Sequence, residues 1–274
     1  MTIKPHIKSP LTEDQMYQLV VEVEQLGIQP LLISETGSMA WGTNVEDSDH
    51  DFTIVGHDVD YDYFRWPRDS FSGKMMFMGK ECDVRVFSAQ KFLRKLARSE
   101  LVAYETIYTP FGYHDSTCNW RVHLQSVVDR CFDPREMYRS VIGSMHAVKH
   151  IDPAKRRRQT FRYMFIALQL RALSERRGGM PVVHIEQYHG VESRMEHIEE
   201  YATVMRLYDW AMQPETNQKE EDFAKWVWDQ LVAFQFPKMV DFKQDEHREF
   251  LSGMLARLMG QPQTWAEQCE ALER

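Results

Sequence analysis

Two aspartates separated by one residue, Asp49 and Asp51, stand at the head of an apolar run in the stretch T-G-S-M-A-W-G-T-N-V-E-D-S-D-H-D-F-T-I-V, residues 36–55. On an extended strand, residues i and i+2 point to the same face about 7 Å apart along the chain, so both carboxylates can enter one pocket. Two carboxylates converging without a cation repel each other. Hard oxygen ligands in this arrangement suit Mg²⁺, which keeps several waters and binds through one or two carboxylates plus substrate phosphates. A DxD by itself also describes a solvated acidic turn, and the residues before it decide between the two. Gly37-Ser38 follows an apolar strand, where the backbone can approach a ligand closely and the free N–H groups of a helix start favour a phosphate. A third acid, Asp83, lies on the strand-like run Glu81 to Phe87, sharing a face with Arg85 while Cys82, Val84 and Val86 point the other way.

The elements that must position these residues can be read around them. Thr12 to Leu26 carries a helical stripe at Met16, Leu19, Val20, Val23 and Leu26, with Thr12 and Gln15 placed as a capping box and Gly27 as a stop. Pro30 introduces Leu31 to Ile33 as a buried strand, a short helix is expected after Gly37-Ser38, and Asp51 to Val55 forms the next strand. Two more strands, KMMFM and ECDVRVF, flank Gly79-Lys80 as a hairpin loop with Gly first. One helix is expected from about Ser88 to Tyr108, ended by Pro110. Beyond Asp115 the pattern is helical. Asp133-Pro134 and Asp152-Pro153 read as N-caps followed by Pro at the first helical position, Gly178-Gly179 as a helix end, and further helices as Ile185–Met212, Gln218–Phe234 and Asp245–Met259. The expected architecture is α+β: a small mixed-sheet head with flanking helices over residues 1–115, then an all-α domain over 116–274.

Composition sets the outer bounds. The chain has 274 residues, 43% of them hydrophobic, with 33 Lys plus Arg against 41 Asp plus Glu, which excludes disorder over most of its length. A net charge of -8 excludes a globally basic nucleic-acid coat, so an anionic partner must be held by a local patch or through cations. The four cysteines, Cys82, Cys118, Cys131 and Cys269, show no zinc-ligand spacing and read as reduced thiols. With no signal-peptide pattern at Met1–Pro10 and no membrane-length apolar run, a cytoplasmic protein without a membrane partner is expected.

Gly37-Ser38, ten residues, then Asp49-x-Asp51 and a later-strand Asp83 resemble the nucleotidyltransferase fold of the DNA polymerase beta superfamily. Within it, GSMAWGTNVEDSDHDFTIV, ECDVRVFSAQKFLRKLARSELVAYETIY and, more loosely, KRRRQTFRYMFIALQLRALSERRGGMPVV are similar to the nucleotidyltransferases of the RNA repair group. The likeness covers roughly the first 115 residues and one helix of the second half. It implies that Gly37 and Ser38 grip a nucleoside triphosphate, and that Asp49 and Asp51 bind two Mg²⁺ ions, with Mn²⁺ as a substitute. Asp83 would complete the metal site and activate the acceptor hydroxyl, and Glu105 would support the core. Met39-Ala40 departs from the basic residue many relatives carry after Gly-Ser, so no phosphate contact is expected from position 39. The implied activity is transfer of a nucleoside monophosphate from an NTP to a hydroxyl, with an RNA end as acceptor, in RNA repair or tRNA modification. Modification of a protein or small molecule, and nucleotide binding without turnover, are the other readings. Such transfer needs no covalent nucleophile, in keeping with the absence of a Ser/His/Asp or Cys/His signature.

The second half carries one charge anomaly. Lys155 to Arg177 holds Lys155, Arg156, Arg157, Arg158, Arg162, Arg171, Arg176 and Arg177 against Glu175, over an apolar stripe of Phe161, Phe165, Leu168 and Ala172. It reads either as a wall for triphosphate or RNA phosphates, with Arg158 and Arg162 one turn apart facing the cleft, or as a solvated face paired with Glu192, Glu196, Glu199 and Glu200. The histidines at 146, 150, 184, 189 and 197 lack a metal-ligand frame, Trp226 and Trp228 are expected in helix packing, and Met75, Met76 and Met78 in an adaptable core.

Overall fold

The structure, a computed structural model, describes residues 11–46, 48–58, 70–115, 120–148, 153–175, 180–189 and 198–236. These residues divide into two compact units, one made of 11–39 and 48–132, the other of 40–46 and the residues from 133 to 236.

The first unit is built on a five-stranded mixed sheet. Helix α1 (Glu13–Gln25) opens it with the expected capping box: Gln15 N–H donates to Thr12 Oγ1 and Thr12 N–H to Gln15 Oε1. Gly27, at φ +76°, turns the chain into β1 (Ile28–Thr36). The strand therefore starts before Pro30, and a register shift between Pro30 and Leu32 accommodates the missing ladder donor. After α2 (Gly37–Trp41), β2 (Asp51–Asp58) runs antiparallel to β1, with Thr36 opposite Asp51. Strands β3 (Ser70–Phe77) and β4 (Lys80–Ser88) form the hairpin, and β4 lies parallel to β2. The sheet order is β3-β4-β2-β1-β5, where β5 (Gly112–Asp115) is a short edge strand the sequence pattern does not announce.

Two expectations are corrected here. The hairpin loop is Met78-Gly79, one residue earlier than Gly79-Lys80, because Phe77 pairs with Lys80 and the two loop residues take φ of +52° and +75°. A two-residue turn with both φ positive matches the strand twist, so Gly serves at its second position and Met78 carries the strain. The helix expected from Ser88 to Tyr108 is two, α3 (Ala89–Ala97) and α4 (Leu101–Tyr108). Between them Ser99 N–H donates to Leu96 C=O at 2.8 Å and Glu100 N–H to Lys95 C=O at 2.9 Å, the paired closure of a Schellman end, with Ser99 at φ +52° in the place usually held by Gly. Helix α5 (Trp120–Cys131) completes the unit.

The helical unit holds α6 (Pro134–Ala147), α7 (Pro153–Ser174), α8 (Ile185–His189), α9 (Ile198–Met212) and α10 (Gln218–Ala233). Asp133 caps α6 through Arg135 N–H at 2.8 Å, and Asn217 caps α10 through Glu220 N–H at 3.1 Å. Helix α7 is buried around much of its circumference, at Phe161, Met164, Phe165, Ile166, Ala167 and Leu170, and packs with α6, α9 and α10. The expected helix end at Gly178-Gly179, the cap at Asp152, Arg176, Arg177, the span joining α8 to α9 and the helix Asp245–Met259 lie outside the described residues. Among the described residues no helix is long and apolar enough to cross a membrane. Met75 is buried, but Met76 and Met78 on the hairpin and Trp226 on α10 are exposed, against the packing roles expected for them.

Candidate active site

One face of the sheet grades from apolar to polar. Leu32, Val55 and Phe87 sit at one end of it, against Ala89, Phe92 and Leu93 of α3 and Trp120 and Leu124 of α5. Toward the other end the same face carries Ser34 and Thr36 from β1, Thr53 and Asp51 from β2, Arg85 and Asp83 from β4, and Lys74 from β3. Period two puts these side chains together because the pairs Thr36–Asp51, Asp51–Asp83 and Asp83–Lys74 are in register across four neighbouring strands. Thr36 Oγ1 donates to Asp51 C=O at 3.3 Å and lies 3.2 Å from Thr53 Oγ1, so the β1–β2 junction below Asp51 is cross-tied by hydroxyls.

Asp51 also touches the Gly-Ser turn. Gly37 adopts φ +67°, and a β-carbon built on it would stand 1.8 Å from Asp51 Oδ2. The turn and the DxD, ten residues apart in sequence, are thus one structural object, and Gly is required for both its backbone angle and its bareness. Gly37 N–H donates to Glu105 Oε1 at 2.7 Å, and Glu105, on α4, is buried. Glu105 therefore fixes the turn from behind and occupies the amide that the sequence assigns to a phosphate. Ser38 next to it is half-buried.

Asp49 and Asp83 are exposed and Asp51 half-buried. Asp83 N–H donates to His50 C=O at 3.2 Å, carrying the β2–β4 ladder one residue upstream into the DxD. Among the described residues no three His, Cys, Asp or Glu side chains stand drawn together as a metal cage. As a donor set the three aspartates are carboxylate oxygens only, two of them on side chains with room to swing, which fits Mg²⁺ or Mn²⁺ and not a thiolate- or imidazole-seeking metal.

Two residues that the sequence pattern does not single out shape this set. His50, between the two aspartates, passes to the opposite face, where its Nδ1 lies 2.6 Å from Oε1 of the fully buried Glu35. Glu35 also accepts from the Tyr113 hydroxyl of β5, and the His50 ring stacks on Phe52 at 5.8 Å. The Glu35 hydrogen bond holds the His50 pKa above its usual value against the opposing effect of burial. Lys74 is the other. Its ion pair with Glu81 raises its pKa, and Asp83 and Asp49 add to the rise, so a cation already faces the carboxylates. The field of the acids reaches Cys82, whose thiol burial and then Asp49, Glu35 and Asp51 push up to about 11. Cys82 and Cys131 are free and buried, while Cys118 and Cys269 lie outside the described residues.

The basic residues of α7 belong to the helical unit. Arg158 and Arg162 are half-buried, and Arg162 Nε donates to Thr43 Oγ1 at 3.1 Å. In that unit Thr43 and its neighbours are clasped further: Tyr208 donates to Gly42 C=O at 3.0 Å and Trp41 meets Phe165 edge-on at 6.4 Å. Glu199 and Glu200 stand in the first turn of α9, whereas Glu192 and Glu196 lie outside the described residues.

Compared with known proteins, residues 11–255 match the RNA repair pathway DNA polymerase beta family. No curated protein matches the chain. A solved structure that it resembles is that of a nucleotidyltransferase-like protein from Exiguobacterium sibiricum, at 10% identity and a TM-score of 0.33, over 91% of this chain and 81% of that one.

Proposed function

Because the chain belongs to the RNA repair pathway DNA polymerase beta family, we propose that it is a metal-dependent nucleotidyltransferase that moves a nucleoside monophosphate from an NTP to a hydroxyl at an RNA end. The observation that carries this reading is the fit of Asp51 over the bare α-carbon of Gly37 with Asp83 beside it in the parallel register. That fit joins a phosphate-approach turn to a pair of carboxylates.

Asp49, Asp51 and Asp83 would hold two divalent cations, which supply charge neutralisation at the attacking and leaving oxygens of an in-line displacement. The chain's own residues do the rest. Asp83, the exposed acid of β4, accepts the proton of the incoming hydroxyl. Gly37 lets the backbone approach the phosphates, and Ser38 offers its hydroxyl and amide to them, since the Gly37 amide is held by Glu105. Lys74 balances the acids when substrate is absent and leaves its cation beside the phosphates when substrate is bound. His50 and Glu35 keep the DxD backbone from rotating.

The test is where the label goes. With each α-phosphate-labelled NTP, mixed cellular RNA and Mg²⁺ or Mn²⁺, label is expected to become RNA-bound and nuclease-sensitive. Label that stays with protein or with a small metabolite replaces the RNA acceptor by one of those.

A further inference from the structure

The helical unit carries an open cavity of about 500 Å³ between α6, α7, α9 and α10, and none of its lining residues belongs to the sheet unit. That volume lies in the range of small-molecule sites, roughly 300–1,000 Å³. Its walls are mostly apolar and include two indoles, Trp210 and Trp228, the second braced edge-on by His146 at 5.6 Å. Its charges do not cancel. Lys225 is paired with Asp229 at 2.7 Å, and Glu221 accepts from Thr216. Arg156 and Arg157 form no ion pair among the described residues, Glu221 being the one carboxylate of the lining not paired with Lys225, and Arg157 spends one terminal nitrogen on the carbonyls of Gln213 and Pro214, at 2.9 and 3.0 Å.

Two donors in this wall are left over. Trp210 Nε1 and Arg157 Nε are buried and have no hydrogen-bond partner among the described residues, although Trp210 is 96% buried as a residue. A buried N–H without an acceptor is costly, and natural proteins keep few of them without a purpose. Both belong to side chains that line the same cavity, beside two guanidinium groups set against one unpaired carboxylate and beside the partly exposed indole of Trp228. An acceptor for these donors and one further negative charge are what would complement the wall.

We propose that this cavity is a ligand site of its own for a planar aromatic anion of mononucleotide size. The anion pairs with Arg156 and Arg157, its acceptors take up the idle N–H groups of Trp210 and Arg157, and its ring lies on the indole of Trp228, which is tolerant of ring identity because every such ring has a π-face. The site is independent of the Asp49, Asp51 and Asp83 set and stands or falls without it.

The experiment is calorimetric titration of the full chain, without divalent cation, using AMP, indole-3-acetate, ribose 5-phosphate and inorganic phosphate. AMP or indole-3-acetate is expected to bind at least tenfold more tightly than ribose 5-phosphate or phosphate, and which of the two binds better tells a phosphate ligand from a carboxylate one. Arg156→Ala, an exposed position, and Trp210→Phe, which keeps the ring and removes the donor, should each weaken that binding at least fivefold. Asp51→Asn should leave it within twofold. Trp210→Phe without ligand should melt no lower than the parent, because it deletes an unpaired donor, whereas a purely structural indole would show a lowered Tm. Failure of both aromatic anions to bind, equal binding of ribose 5-phosphate, unchanged affinity in both wall variants, or loss of binding in Asp51→Asn overturns the proposal.

Discussion

The carboxylate of Asp51 lies over the α-carbon of Gly37, so close that a β-carbon there would meet Oδ2 at 1.8 Å. Gly37→Ala must therefore displace Asp51 and also hold a left-handed φ of +67°. The backbone strain costs about 1–2 kcal/mol, and a displacement of about 1 Å at a reacting group costs on the order of 10²-fold in rate. Melting should drop modestly while label transfer drops by that factor. A variant with parental transfer rates would separate the turn from the site.

Behind the DxD, Glu35 is the shared acceptor of His50 and Tyr113, wholly buried. Glu35→Ala leaves two donors without an acceptor, at about 1–3 kcal/mol, and frees the backbone between Asp49 and Asp51. Glu35→Gln keeps an acceptor and should recover most of the stability. Asp49→Ala, at an exposed position, should stay within about 0.5 kcal/mol of the parent. Denaturant midpoints for the three variants check this order, and equal midpoints for Glu35→Ala and Asp49→Ala would contradict it.

Glu105 holds the Gly37 amide at 2.7 Å. Its replacement by Gln preserves an oxygen acceptor and should leave both fold and transfer close to the parent. Glu105→Ala should lower stability by about 1–2 kcal/mol and raise KM for NTP more than it lowers kcat, because the turn loses its fixed position. A fall in kcat alone would give Glu105 a role at the reacting atoms.

His184, in the helical unit, supplies the pH dependence. Burial lowers its pKa, with Glu186 opposing, and its Nδ1 accepts from Glu186 N–H at 3.2 Å. The folded state therefore keeps the ring neutral while the unfolded chain takes up a proton below about pH 6.5. Stability from this residue is present above that value and is lost as pH falls toward the lowered folded pKa. Melting temperatures from about pH 7.5 down to about pH 5 should decline less steeply in His184→Asn than in the parent. Parallel profiles would remove the assignment.

What the sequence makes legible is local. The Thr12–Gln15 capping box, the Asp133 cap and the alternation of Cys82, Val84 and Val86 against Asp83 and Arg85 are all short-range patterns, and each is present in the structure. The helix break at Ser99 is hidden because the left-handed position that ends α3 is not a glycine, and β5 is hidden because four residues carry too little period to register. At the candidate site, spacing alone singles out Asp49, Asp51 and Asp83. It cannot find Glu35 or Lys74, since their relevance comes from strand pairing across 15 residues or more of chain or from a hairpin register. His50 stands in plain view between the aspartates, and its signal is the alternation itself: a residue between two that face the pocket must face the core.

The most direct test of the account is Mg²⁺-dependent release of pyrophosphate from NTP in the presence of RNA, by the parent and by Asp49→Ala, Asp51→Ala and Asp83→Ala. Release by the parent that stops on chelation, with all three variants folded by circular dichroism and at background, is the predicted result. Parental rates in any one of the folded variants would contradict it.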